Sequence, residues 1–175
     1  MRKFIHISGI VLIFFLCSFV WAGNNSFVSQ ELGFSLNLPD GWNQEGVIDR
    51  AEDVAMMKFI GEQNMALITV TQGPAFDNFK EYVISELTQS GSNPNPILEE
   101  FALNGVDCIK TVVPVTQNDL GVALPPGFDN MRVLTYFINS PKKGYMITAT
   151  SVFPKDFDAK KPLFEQIISS FQVLS

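Results

Sequence analysis

Histidine occurs once in this 175-residue chain, as His6, and cysteine twice, as Cys17 and Cys108. Basic residues are also scarce, 12 Lys and Arg against 18 Asp and Glu. There is no G-x-G-x-x-G and no Walker A lysine, so phosphate cradling has no support. These shortages become stricter once the first residues are read as an address. Arg2 and Lys3 supply a positive start, Ile10 to Leu16 is an unbroken apolar run, and Val20-Trp21-Ala22 suits signal-peptidase cleavage before Gly23. Two alternatives compete. A membrane anchor needs about 20 predominantly apolar residues, and His6, Ser8 and Ser18 interrupt this run. A lipidated Cys17 would want a small residue before it, where Leu16 stands. The expected organisation is therefore a signal peptide over 1–22 and one domain over 23–175, in a periplasmic or secreted protein.

Cleavage removes His6 and Cys17 and leaves Cys108 alone. An intramolecular disulfide, a Ser-His-Asp triad, a Cys-His pair and a His-ligated zinc site all become impossible in the processed chain. Cys108 then reads as a buried small hydrophobe rather than a reactive thiol. Losing Arg2 and Lys3 leaves 10 basic residues against 18 acidic ones, a formal balance of −8. Such a chain lacks the electrostatic footprint of nucleic-acid binding and disfavours an anionic membrane surface. Lys142-Lys143 and Lys160-Lys161 read as solvated turn or helix faces.

What is present is a run of strands with two helical stretches. "GFSLNL" (Gly33 to Leu38) alternates apolar and polar residues as a half-buried strand, and "PDGW" (Pro39 to Trp42) closes it as a turn. Ala55 to Ile60 and Met65 to Thr71 predict a hairpin around "GEQN". Over Phe76 to Leu87 the period changes: Phe76, Phe79, Val83 and Leu87 share a helical face, with Asp77 as the expected N-cap. "GSNPNP" (Gly91 to Pro96) ends that helix.

Asn104-Gly105 is the preferred two-residue type I′ turn. It predicts a hairpin over Ile97 to Val113 with Leu103 opposite Val106, Phe101 opposite Cys108 and Glu99 opposite Lys110. Glu99 and Glu100 would then point to opposite faces, as structural residues rather than a catalytic carboxylate pair. Met131 to Asn139 and Gly144 to Phe153 predict another hairpin around "SPKKG". A last helix is expected after "PKDFDAKKP", with Leu163, Ile167 and Phe171 on its buried face and Phe164 and Ile168 beside them. Asp156 and Asp158 read as helix-initiating residues rather than calcium ligands, which need several convergent oxygens. This order indicates an α+β fold, an antiparallel sheet with two main helices, rather than a βαβ nucleotide fold.

"LGFSLNLPDGW" (Leu32 to Trp42) resembles the opening strand and turn of the Mog1/PsbP-like superfamily, which includes the DcrB-like bacterial envelope proteins. "FPKDFDAKKPLFEQIISSFQVL" (Phe153 to Leu174) is similar to their terminal strand and helix. The resemblance implies an α-β-α-like sandwich and mostly non-enzymatic work by extrinsic subunits, adaptors or envelope factors. It implies no shared catalytic set, so no catalytic, cofactor-binding or metal-binding residue is assigned and no cofactor is expected.

The function expected is a non-catalytic accessory module binding another envelope or secreted protein. The alternative is a small-ligand or metal-binding domain with a cavity between sheet and helix, and an enzyme working with Asp, Glu, Lys or Tyr alone stands third. The candidate surface is the long connection "VTQNDLGVALPPGFDN" (Val115 to Asn130), whose turn-formers are threaded with Leu120, Val122, Leu124 and Phe128. Connections in compact domains are mostly about 4 to 6 residues. One expectation is that these side chains fold down over a sheet edge or the core. The other is that Leu124-Pro125-Pro126-Gly127-Phe128 projects as a stiff tip, its prolines lowering the ordering cost of binding.

Overall fold

Among the described residues, alternation in the strands and one-sided helices generate two sheets and two α-helices, with a core on each face of the larger sheet. The structure is a computed structural model and describes residues 25–51, 54–61, 65–89, 96–115 and 131–174. Residues 1–22, with the expected signal peptide, lie outside the described residues, as do 91–95 of the expected helix stop.

Seven strands form the main antiparallel sheet: β3 (Asn43–Ala51), β4 (Val54–Gly61), β5 (Ala66–Pro74), β6 (Glu99–Leu103), β7 (Val106–Pro114), β8 (Arg132–Asn139) and β9 (Lys143–Ser151), in the order β3-β4-β5-β9-β8-β7-β6. A smaller sheet places β2 (Phe34–Leu38) between β1 (Asn25–Ser29) and β10 (Gln172–Val173). Helix α1 (Phe79–Gln89) covers one face of the main sheet, its Val83 and Leu87 buried with Ile109 and Phe137. The other face carries the larger core. There Phe34, Leu36 and Leu38 of β2 meet Phe59, Ile68, Ile138 and Ile147 of the main sheet, with Phe164, Ile167 and Ile168 of α2 (Phe157–Ser169). This is the expected α+β sandwich.

The Asn104-Gly105 turn fixes its hairpin as expected. Both residues have positive φ, +50° and +86°, the backbone that type I′ demands and that Asn and Gly supply at least cost. Leu103 pairs with Val106, Phe101 with Cys108 and Glu99 with Lys110. Trp42 N–H donates to the Pro39 carbonyl at 3.3 Å in the PDGW turn. Around Pro141, Ser140 N–H reaches the Lys143 carbonyl at 2.9 Å.

Five expectations need correction. The sheet is two sheets: β1, β3 and β10 give little alternation, because β1 and β10 are short edges and β3 is bulged at two places against β4. Asp77 is not the N-cap, since α1 begins at Phe79 and Asn78, at φ +47°, precedes it. Phe76 lies before the helix, where the Asn139 side chain both accepts from its N–H (2.9 Å) and donates to its carbonyl (3.1 Å). The last helix starts at Phe157 rather than after Pro162, which sits inside it. Proline there forfeits one helical hydrogen bond, but Phe157 and Phe164 are both buried with ring centroids 6.4 Å apart, and this anchors the first turn. Finally, Phe164 and Ile168 lie at the centre of the buried face, and Leu163 is only partly buried.

Candidate functional site

Leu120, Val122, Leu124, Pro125, Pro126 and Phe128 lie outside the described residues, within 116–130. The root of their connection is described. Pro114 of β7 stands opposite Arg132 of β8, and Val115 N–H donates to the Met131 carbonyl at 2.8 Å. The connection therefore leaves and re-enters the sheet through a paired neck. Arg132 fixes that neck to α2: its guanidinium donates to Asp158 at 2.7 Å and lies 4.8 Å from the centre of the Phe157 ring. The hydrogen bond from Arg132 holds the Asp158 carboxyl below its ordinary range. Asp158 is thus a helix-initiating residue with a cationic partner. At the same end of the sheet, Val152 N–H bonds the Met65 carbonyl at 3.0 Å, and Met65, Val152 and Phe153 remain exposed.

Several of the carboxylates and lysines pair with one another. Glu99 pairs with Lys110 at 2.7 Å and Glu100 with Lys80 at 2.6 Å, from opposite faces of β6. Lys110 also lies 3.4 Å from Glu165, which takes Lys161 at 2.9 Å. Burial alone would lower the Lys110 ammonium's pKa, but Glu99 and Glu165 outweigh it and the net shift is upward. Burial pushes the Tyr145 hydroxyl up to about 12 and raises Tyr136 as well. Among the described residues no group of three His, Cys, Asp or Glu is placed to hold a metal.

Cys108 is buried against Phe101. Burial pushes its thiol up to about 12, against the opposing pull of Lys110 and with a further push from Glu99. Thiolate, the reactive species, is therefore rare at neutral pH. Labelling of the native protein by a thiol reagent is expected to be slow and to become fast on unfolding. Cys108→Ser is expected to cost about 1–3 kcal/mol by setting a hydroxyl in an apolar site. Rapid labelling of the folded chain would contradict this placement.

One place the sequence reading passed over is a cleft of about 560 Å³ at the opposite end of the sheet, lined in part by Gly33, Val106, Lys142, Lys143, Val173 and Leu174. Lys142 is exposed, as expected of a solvated turn, but Lys143 is half-buried and its ammonium donates to the Leu32 carbonyl at 3.1 Å. The Tyr145 hydroxyl lies 3.0 Å from both the Leu32 and Gly33 carbonyls. No local signal reveals this seat, because its parts come from distant stretches of chain.

The two-sheet sandwich is the Mog1/PsbP-like fold. In structure the chain is similar to cyanobacterial PsbP (CyanoP) from Synechocystis sp. PCC 6803, with a TM-score of 0.60 and 16% identity, covering 87% of this chain and 93% of that one. It is also similar to the Saccharomyces cerevisiae Ran-binding protein Mog1p, with a TM-score of 0.56 and 11% identity over 88% of this chain and 97% of that one. At these identities the likeness establishes the fold. No protein-family model matches the chain, and no curated protein matches it by sequence.

Proposed function

We propose that this chain is an exported, non-catalytic accessory module that binds a protein partner of the cell envelope or secreted fraction. In this reading residues 1–22 are a cleaved signal peptide, the folded unit begins at Gly23, and the DcrB-like envelope proteins are its functional counterparts. The partner contacts the connection carrying Leu120, Val122, Leu124, Pro125, Pro126 and Phe128. The observation that carries the proposal is where this connection is rooted. Its neck is fixed by Val115–Met131 pairing and by Arg132, at an end of the sheet that leaves Met65, Val152 and Phe153 exposed. Mog1p, a Ran-binding protein, supports protein binding as work for this fold. Export draws support from the sequence alone; among the described residues no helix is long and apolar enough to cross a membrane.

The test is affinity capture from the native envelope with mass spectrometry, comparing the processed protein with a Leu124→Ser, Phe128→Ser variant. The expected result is loss of the captured partner with unfolding free energy changed by no more than about 0.5 kcal/mol, the usual range for surface substitutions. A clear fall in unfolding free energy would show that these side chains belong to the core and would remove the proposed surface. The intact mass of the native protein is expected to match a chain beginning near Gly23 without acyl groups. A lipidated Cys17, or an uncleaved chain in the membrane fraction, overturns the export reading.

A further inference from the structure

We infer that the cleft beside Lys143 is a binding site for a small amphipathic carboxylate, an organic acid with a short apolar chain. The site lies at the end of the sheet opposite the Val115–Met131 neck. Its head is a cation held in place from several directions. The Lys143 carbonyl accepts from Ser140 N–H (2.9 Å) and from the Ser140 hydroxyl (2.7 Å), and Lys143 N–H lies 3.2 Å from the same hydroxyl oxygen. The backbone of this lysine is therefore clamped. Its ammonium rests over Gly33: a methyl group added there would come within 2.9 Å of Lys143 Nζ. Gly33, at φ +71°, both makes the turn and leaves the space the ammonium fills.

An ammonium has three N–H donors, and the described structure uses one of these, to Leu32. Neither Lys143 nor its neighbour Lys142 makes an ion pair with a described carboxylate, and none of the described residues lining the cleft is acidic. In a chain this acidic, a half-buried cation with no counter-charge among the described residues is an anion's seat. The walls select the kind of anion. Val106, Pro141, Val173 and Leu174 are apolar, and a fully hydrated ion would leave them unused. A carboxylate on the free N–H groups of Lys143, with its chain along these walls, satisfies both, and the volume lies within the usual range for small-ligand sites.

Octanoate is the probe, titrated into the whole folded protein and followed by backbone amide shifts and calorimetry. Saturable shifts are expected at Gly33, Lys143 and Val173, weakening as salt is added. Lys143→Gln is expected to lower affinity by about tenfold or more, as loss of a charged hydrogen-bonded contact does. Lys142→Gln, an exposed change that leaves the fold intact, is expected to weaken binding about two- to threefold. Octanol, lacking the charge, and inorganic phosphate, lacking the chain, should each bind far more weakly. The inference fails if octanoate gives no saturable shift, if the shifts fall elsewhere, or if octanol or phosphate matches it. It fails equally if binding survives both lysine substitutions unchanged.

Discussion

Phe34→Ala is expected to remove about 3–5 kcal/mol of folding stability, the range for truncating a fully buried aromatic ring. Phe34 is fully buried in the central strand of the small sheet, flanked in register by Ser29 of β1 and Val173 of β10. Its ring stacks on Phe171 at 5.3 Å and meets Tyr145 edge-on at 6.3 Å and Phe27 at 5.9 Å. One side chain thus joins both sheets and the segment after α2. Against a total of about 5–15 kcal/mol for a typical domain, such a loss is decisive. Urea unfolding should show a much lower midpoint. Val28→Ala on the exposed face of β1 should move it by no more than about 0.5 kcal/mol. Equal effects from the two would mean that the small sheet is not packed as described.

The second large effect is expected at Gly61. A methyl group there would lie 2.1 Å from Trp42 Cε2 and 2.2 Å from Trp42 Cδ2. The indole is itself buried and must move out of its place against β4. Gly61→Ala is therefore expected to cost about 1–3 kcal/mol or more by overpacking, with a red-shifted tryptophan emission. In a chain beginning at Gly23 the other tryptophan, Trp21, is gone, so the signal belongs to Trp42 alone. Gly41→Ala is the contrasting case. It has open space around it but a φ of +82°, so about 1–2 kcal/mol of backbone strain is expected without displacement of the indole. If Gly61→Ala changes neither emission nor midpoint, Trp42 does not pack on Gly61.

Legibility in the sequence followed the range of the signal. Asn104-Gly105 set the β6–β7 register residue by residue because the turn chemistry is local, and with it the partners of Glu99 and Cys108. The alternation of Phe34, Leu36 and Leu38 was equally visible, since one face of β2 is in the core. Strand β3 was not, because its bulges break the period that would announce it. Pro162 misled because a proline usually marks a helix start, and here tertiary burial of Phe157 outweighs that preference. The Lys143 seat had no sequence signature at all: the lysine looks solvated until the Leu32-Gly33 turn is brought beneath it. Of the candidate partner surface, the apolar residues were legible in the sequence, whereas the neck at Val115 and Met131 emerged only from strand pairing.

The pairing of β2 with β10 also governs when the protein can fold. Ser35 meets Gln172 and Phe34 meets Val173, so the small sheet joins strands from near opposite ends of the sequence. In the main sheet β5 likewise waits for β9. Contacts this distant in sequence pay their loop-closure entropy before they return any burial, and they slow folding. A chain still emerging from the ribosome has β1 to β5 without β9, α2 or β10 to cover them. Neither sheet can be completed until β9 and then β10 have been made, so the fold closes after synthesis rather than during it.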